Sequence, residues 1–300
     1  MTLRKPSTLL IVAALIADSS SALAGDDANA ANTLGAGGAT AAHPTDNSAV
    51  SVNPANLGLV ERYDLDAFLR IDPDTGWGWG ISVVDSRTSF PLGLSYRRSS
   101  DDMPFTEEDL PGWIANGRYP ANVKRYHDFT AAVALPLVSE RLSMGLNTTL
   151  VFANHDRLGR SFTGNLDLGL AAAPTRGLSV GLVGRNLIPL ADQPELPASL
   201  LAGVRYDLVD VGAVEVDADV RFEEPGALPL SLRAGVEGRV QTVRPRVGWQ
   251  WSGPTEQHWL CWGIGSENEV GSLDYAMAIP LRSGLSFTAI THMLTLRFFT

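Results

Sequence analysis

The chain has 300 residues, 45% of them hydrophobic, with a mean hydropathy of +0.03 and a formal net charge of −10. That acidic balance argues against nucleic acid as a partner, because phosphate backbones reward Lys- and Arg-rich surfaces. The one cysteine, Cys261, excludes an intrachain disulfide and a multi-cysteine metal site. No two of the histidines, His43, His127, His155, His258 and His292, sit at metal-ligand spacing, so neither a metal nor a cofactor is expected.

The first predicted element is a signal peptide over residues 1–24. Arg4 and Lys5 form a basic start, Leu9 to Ile16 is a short apolar run, and Ala22-Leu23-Ala24 fits the small-residue cleavage rule. The apolar run is too short to span a bilayer as a helix, and no later stretch reaches the ~18 apolar residues that a spanning helix needs. The mature chain is therefore expected to be exported, and to reside in a membrane only as a barrel, the other structure that satisfies its backbone internally. Residues 25–57 are small and polar, rich in turn-formers and without a long apolar face, which predicts a compact non-strand segment.

From about Leu59 the hydrophobic period becomes two and stays so to the end. Leu200, Ala202, Val204, Tyr206 and Leu208 oppose Gly203, Arg205 and Asp207; Val214, Val216, Ala218 and Val220 oppose Glu215, Asp217, Asp219 and Arg221. Further on, Leu230, Leu232, Ala234 and Val236 oppose Ser231, Arg233, Glu237 and Arg239, and Val247, Trp249 and Trp251 oppose Arg246, Gly248 and Gln250. The spacing predicts fourteen strands, at 58–72, 76–87, 90–99, 123–138, 140–154, 160–174, 177–188, 197–209, 212–224, 229–240, 243–253, 258–268, 270–282 and 290–300. A soluble sandwich alternates too. Here the polar face is heavily charged over adjacent strands while the apolar face carries almost no charge, and a single sheet of that kind needs lipid outside it. Connections after odd strands are the longer ones, notably 100–122, 189–196 and 283–289, matching the long external loops and short periplasmic turns of outer-membrane barrels. The fold class is therefore all-β: a transmembrane antiparallel β-barrel of about 14 strands over residues 58–300, in the outer membrane of a Gram-negative-type cell.

Several motifs, taken in order, resemble the FadL superfamily. Gly35-Ala36-Gly37-Gly38-Ala39, then Asp46-Asn47-Ser48-Ala49, then Asn53-Pro54-Ala55 resemble its N-terminal segment, which plugs the barrel as a hatch. Gly184-Arg185-Asn186-Leu187, Leu196-Pro197, Gly203-Val204-Arg205-Tyr206, Ala234-Gly235-Val236-Glu237, Arg246-Val247-Gly248 and the ending from Leu273 to Phe298 are similar to the PorV-like branch. Where PorV-like chains usually carry Glu-Tyr this one has Glu237-Gly238, and the terminal aromatic is displaced by Thr300. The resemblance implies a periplasmic hatch at 25–57, with Gly35, Gly37, Gly38, Asp46, Asn53 and Pro54 as its signature positions. For function it implies either hatch-gated passage of a small hydrophobic compound or a non-conducting docking barrel for secreted or surface proteins, as in type IX secretion.

The residues leave some alternatives open. The polar-face charges Arg205, Asp207, Glu215, Asp217, Asp219, Arg221, Arg233, Glu237, Arg239 and Arg246 line a conduit, or they form a mutually paired network that fills a narrow lumen and receives the hatch. Pairing is favoured, since isolated charges in a low-dielectric interior are costly. It would leave that half of the lumen without a greasy path. Loop 100–122, with Phe105, Leu110, Trp113 and Tyr119 among acids, reads either as an external lid that captures a ligand or partner or as a loop packing its own apolar residues. Trp77, Trp79, Trp249, Trp251, Trp259 and Trp262 are expected in a membrane-interface girdle. The Gly35–Gly38 run lacks the strand-turn-helix setting of a dinucleotide loop. No nucleophile-elbow motif occurs, and the chain reads as no enzyme. Its expected partners are outer-membrane lipid and either a hydrophobic small molecule or a secreted or surface protein.

Overall fold

The computed structural model describes residues 30–43, 47–72, 76–100, 124–155, 159–188, 197–222, 229–281 and 290–299. Fourteen strands follow in chain order: β1 (Tyr63–Asp72), β2 (Gly76–Asp85), β3 (Leu92–Ser100), β4 (Lys124–Val138), β5 (Leu142–His155), β6 (Gly159–Thr175), β7 (Leu178–Arg185), β8 (Ser199–Leu208), β9 (Gly212–Arg221), β10 (Leu230–Gly238), β11 (Val243–Ser252), β12 (Gln257–Glu267), β13 (Gly271–Pro280) and β14 (Thr291–Phe299). Each pairs antiparallel with its chain neighbours, and β1 closes on β14 through a register running from Asp64↔Phe299 to Ile71↔His292. A closed sheet has no unpaired edge, which is the condition for β-structure in a bilayer. Among the described residues no helix is long and apolar enough to cross a membrane.

The two faces of the wall separate as period-two alternation requires. Leu94 and Val247 are each 58% exposed on the outside, whereas Asp66 and Asp217, facing in, are 1% and 2% exposed. An uninterrupted outward apolar band of this extent is untenable in water and suited to lipid. The hairpins on the side where β1 begins and β14 ends are tight. Arg141 N–H donates to the Val138 carbonyl and Val211 N–H to that of Leu208, each at 3.0 Å, with Glu140 and Asp210 in the left-handed region. Strands β4, β5 and β6 have 15, 14 and 17 residues, more than the roughly 9–11 a membrane crossing needs, so they extend past the bilayer.

Inside the wall lies the N-terminal stretch. It forms α1 (Ala31–Gly35) and two 3-10 turns, η1 (Asn47–Val50) and η2 (Pro54–Gly58). Residues 58–62, expected at the head of the first strand, instead finish η2 and lead to Tyr63. Ala31, Ala39, Ala41, Ala49, Val50, Ala55 and Leu57 are completely buried, so a segment without an amphipathic face is buried by being small.

Candidate functional site

The luminal segment approaches the wall at glycines. On the inward face Gly145 lies opposite Gly169, Gly181 opposite Gly203, and Gly235 opposite Gly248 across neighbouring strands. A Cβ at Gly235 would strike the Ala36 carbonyl, one at Gly248 the Gly37 nitrogen, and one at Gly145 the backbone of Pro54 and Ala55. At Gly181 it would meet the Ala41 carbonyl, and at Gly169 the Asn53 side chain. Glycine here is a spatial requirement of main chain packing on main chain.

The Gly35–Gly38 run has a second function in the fold. Gly37 and Gly38 have φ of +79° and +76°. Gly38 N–H donates to the Thr33 carbonyl (2.9 Å) and Gly37 N–H to that of Leu34 (3.0 Å), the paired bonds that end a helix with a left-handed glycine. The run thus stops α1 and turns the chain between β10 and β11.

Polar side chains then fix the segment. The Asp217 carboxylate accepts the N–H groups of Thr40 (2.7 Å) and Ala41 (2.9 Å). The Ala41 carbonyl accepts from Asn53 Nδ2 (2.6 Å) and Asn56 Nδ2 (3.2 Å), and Asn53 also donates to the Leu170 carbonyl of β6 (3.3 Å). Asn53 caps η2 through Ala55 N–H at 3.2 Å, with Pro54 in the first turn. Asn147 donates to the Val50 carbonyl (3.2 Å) and Thr295 accepts from Ala31 N–H (2.8 Å). Together these bonds run from β5 and β6 across the lumen to β9 and β14.

One inward position toward the tight-turn end, a layer of ion pairs follows the glycines. Arg205 Nη1 donates to Glu215 (3.1 Å) and its Nε to Asp207 (3.0 Å), while His43 Nδ1 lies 3.4 Å from the same Glu215 oxygen. Arg246 joins Glu237 (2.7 Å) to Asp274 (2.5 Å), and Arg297 binds Asp66 through two nitrogens at 2.9 and 3.0 Å. Arg205, Glu215 and Arg246 are all buried, so the interactions are poorly screened and each charge depends on its partner. Asp219 faces Arg185 at 3.7 Å, and Arg233 lies alongside Gly38. Arg221 sits at the far end of β9, whereas Arg239, expected on this face, lies beyond the end of β10 in the turn and is exposed.

The lumen also holds an apolar patch that the alternation pattern missed. Ala31 and Leu34 of α1 meet Cys261, Ala276, Ala278 and Met293 of the wall, flanked by Phe68 and Trp259. Trp259 therefore points inward, unlike the outward-facing Trp77, Trp79, Trp249, Trp251 and Trp262. The signal was present in the sequence: Phe68, Trp259, Cys261 and Met293 are apolar residues in the polar phase of their strands. The patch lies on β12, β13, β14 and β1, beside the charged strands β8 to β11 for which no greasy path is expected.

Residues 1–24, Asp46 and the loop residues Phe105, Leu110, Trp113 and Tyr119 lie outside the described residues. Among the described residues no three His, Cys, Asp or Glu side chains are grouped to hold a metal ion.

No protein-family model matches the chain, and no curated protein does. Solved structures do. The Pseudomonas putida toluene transporter TodX has a TM-score of 0.63 at 14% identity over 90% of this chain and 96% of that one. The Ralstonia pickettii toluene transporter TbuX has a TM-score of 0.63 at 14% identity over 90% and 97%. A Pseudomonas aeruginosa FadL homologue has a TM-score of 0.62 at 11% identity over 90% and 98%. At these identities the likeness concerns the fold: the chain has the 14-stranded barrel architecture of the FadL-type channels.

Proposed function

We propose, with that shared fold as the premise, that the barrel passes a small hydrophobic compound across the outer membrane and that residues 25–57 act as its hatch. The observation that carries this reading is the apolar patch. Leu34 of the luminal segment covers Phe68, Trp259, Cys261 and Met293, an apolar surface that includes two aromatic side chains on the inner wall. Withdrawing α1 exposes a place where an apolar solute is preferred over water. The names of the neighbouring structures, toluene transporters among them, support the same class of cargo. Among the described residues the wall is hydrogen-bonded around its circumference, with register shifts only between Pro136 and Val138 and between Ala172 and Thr175, which supports a route along the lumen.

The test is a planar-bilayer recording of the full chain beside a chain lacking residues 25–57, paired with uptake of radiolabelled toluene into proteoliposomes. The hatch reading expects low conductance from the full chain and a clear rise on deletion. A deleted chain that folds as a barrel yet stays closed would refute it.

A further inference from the structure

The outer surface carries a second, asymmetric feature between β2 and β6. Five outward aromatic side chains touch in series across these strands. Ring centroids are 5.4 Å apart for Trp79–Tyr96, 4.8 Å for Tyr96–Phe129, 6.0 Å for Phe129–Phe152 and 5.0 Å for Phe152–Phe162. They occupy two adjacent rows: the register places Trp79, Arg98, His127, Phe152 and Phe162 side by side on consecutive strands, and Tyr96 beside Phe129 one row nearer the tight-turn end. Such a belt sits at the level of lipid headgroups.

Arg98 lies in the Trp79 row, and Arg125 and Arg160 lie in the next outward row, farther from the tight-turn end. Among the described strand residues these are the arginines that share the outward face. The strand carboxylates face the lumen, apart from Asp85 at the opposite end of β2. With strands spaced about 4.8 Å apart, Arg98 and Arg125 on neighbouring strands and Arg160 two strands further on occupy positions that span roughly 15 Å of the sheet. Arg98 stacks over Trp77 at 5.6 Å, which holds its guanidinium against the wall, and its buried Nε has no hydrogen-bond partner.

Directly below the belt the same strands form an apolar groove of about 350 Å³, lined by Ile81, Val83, Leu94, Phe129, Ala131 and Leu150. Its depth comes from the short Ala131 side chain, flanked on β4 by Phe129 and Val133 and opposite Leu94 on β3. Cations above an aromatic belt and a greasy groove beneath it complement a molecule with anionic groups at the headgroup level and acyl chains below.

We propose that this face is a binding site for a phosphorylated, multiply acylated glycolipid of the outer leaflet, with phosphate on Arg98, Arg125 and Arg160 and an acyl chain in the groove. The proposal rests on the outer-membrane reading but is independent of transport, since none of these side chains enters the lumen. Guanidinium groups bind phosphate through paired, charge-assisted hydrogen bonds, which favours phosphate over neutral headgroups.

The experiment uses the detergent-purified full chain. Native mass spectrometry measures retention of bis-phosphorylated hexa-acyl lipid A, of the same lipid with its phosphates removed, and of phosphatidylglycerol. The site expects lipid A to be retained about tenfold more strongly than either of the others, and R98Q/R125Q/R160Q to lose that preference. A second variant, Ala131→Phe, fills the groove without touching a charge and is expected to weaken all acylated probes alike. Heat-modifiable gel migration verifies that each variant is a folded barrel. Equal retention of lipid A by the triple variant, or of the dephosphorylated lipid by the native chain, overturns the proposal. Density-gradient fractionation of the native chain separately tests the outer-membrane reading, so the two failures are distinguishable.

Discussion

The carboxylate of Asp217 on β9 accepts the backbone N–H of Thr40 at 2.7 Å, joining the luminal segment to a strand 177 residues away in the chain. The next amide, that of Ala41, reaches the same oxygen at 2.9 Å. One wall side chain thus satisfies two buried main-chain donors that no secondary structure serves, and a hydrogen bond to a charged group is worth about 1.5–3 kcal/mol.

Replacing Asp217 should therefore loosen the segment. Asp217→Ala leaves two buried donors unsatisfied and is expected to raise single-channel conductance in a planar bilayer and to lower the thermal midpoint of the barrel. Asp217→Asn keeps one acceptor oxygen and should give a smaller effect in both assays. A native-like conductance trace from Asp217→Ala would contradict the anchor.

The glycine pairs predict a different defect. Gly235→Val and Gly248→Val place carbon where the Ala36 carbonyl and Gly37 nitrogen lie. β-Branched residues suit the strand itself, so the barrel should still form and migrate as a folded species on unheated gels. The luminal segment should be expelled and become sensitive to limited proteolysis. Protection equal to that of the native chain would show that the close packing is dispensable.

Cys261 is the chain's one thiol and is completely buried beneath Leu34. Labelling of a thiol requires access. A small maleimide should react slowly with the native barrel and at least several-fold faster after deletion of residues 25–57. The Asp217→Ala variant should fall between the two. Fast labelling of the native chain would mean that the apolar patch is already open.

Arg246 holds Glu237 and Asp274 together in the buried layer. Arg246→Met leaves two carboxylates facing one another without a cation, a change of the kind that costs about 3–5 kcal/mol. R246M/E237L/D274L, which removes all three charges, should recover much of that loss in denaturant unfolding from liposomes. Equal stability of the single and triple variants would indicate that the network contributes little.

The barrel itself was legible in the sequence, down to strand number, since period-two alternation is a local property that each strand displays alone. The paired character of the luminal charges was also readable in kind, because Arg205, Glu215, Glu237 and Arg246 lie on one face in adjacent strands. Their partners were less so. His43 reaches Glu215 only because the N-terminal stretch lies inside the sheet, and Asp274 reaches Arg246 across the intervening β12 only because Gly265 leaves room between them. Arg239 fits the alternation but falls outside the ladder, where the turn at 239–242 ends the strand. Trp259 was assigned to the membrane interface by residue type, whereas its phase, shared with Cys261, sends it inward.

By itself the sequence determined a sheet with one apolar and one charged face, and thereby a barrel meant for lipid, because burial on two faces of a strand is written two residues at a time. The tertiary structure alone decided what fills that barrel. The glycines at 145, 169, 181, 203, 235 and 248 read singly as weak points in strands. Brought into cross-strand pairs they become the recess in which the chain's own N-terminal backbone lies, since main chain can approach main chain only where no Cβ stands between them.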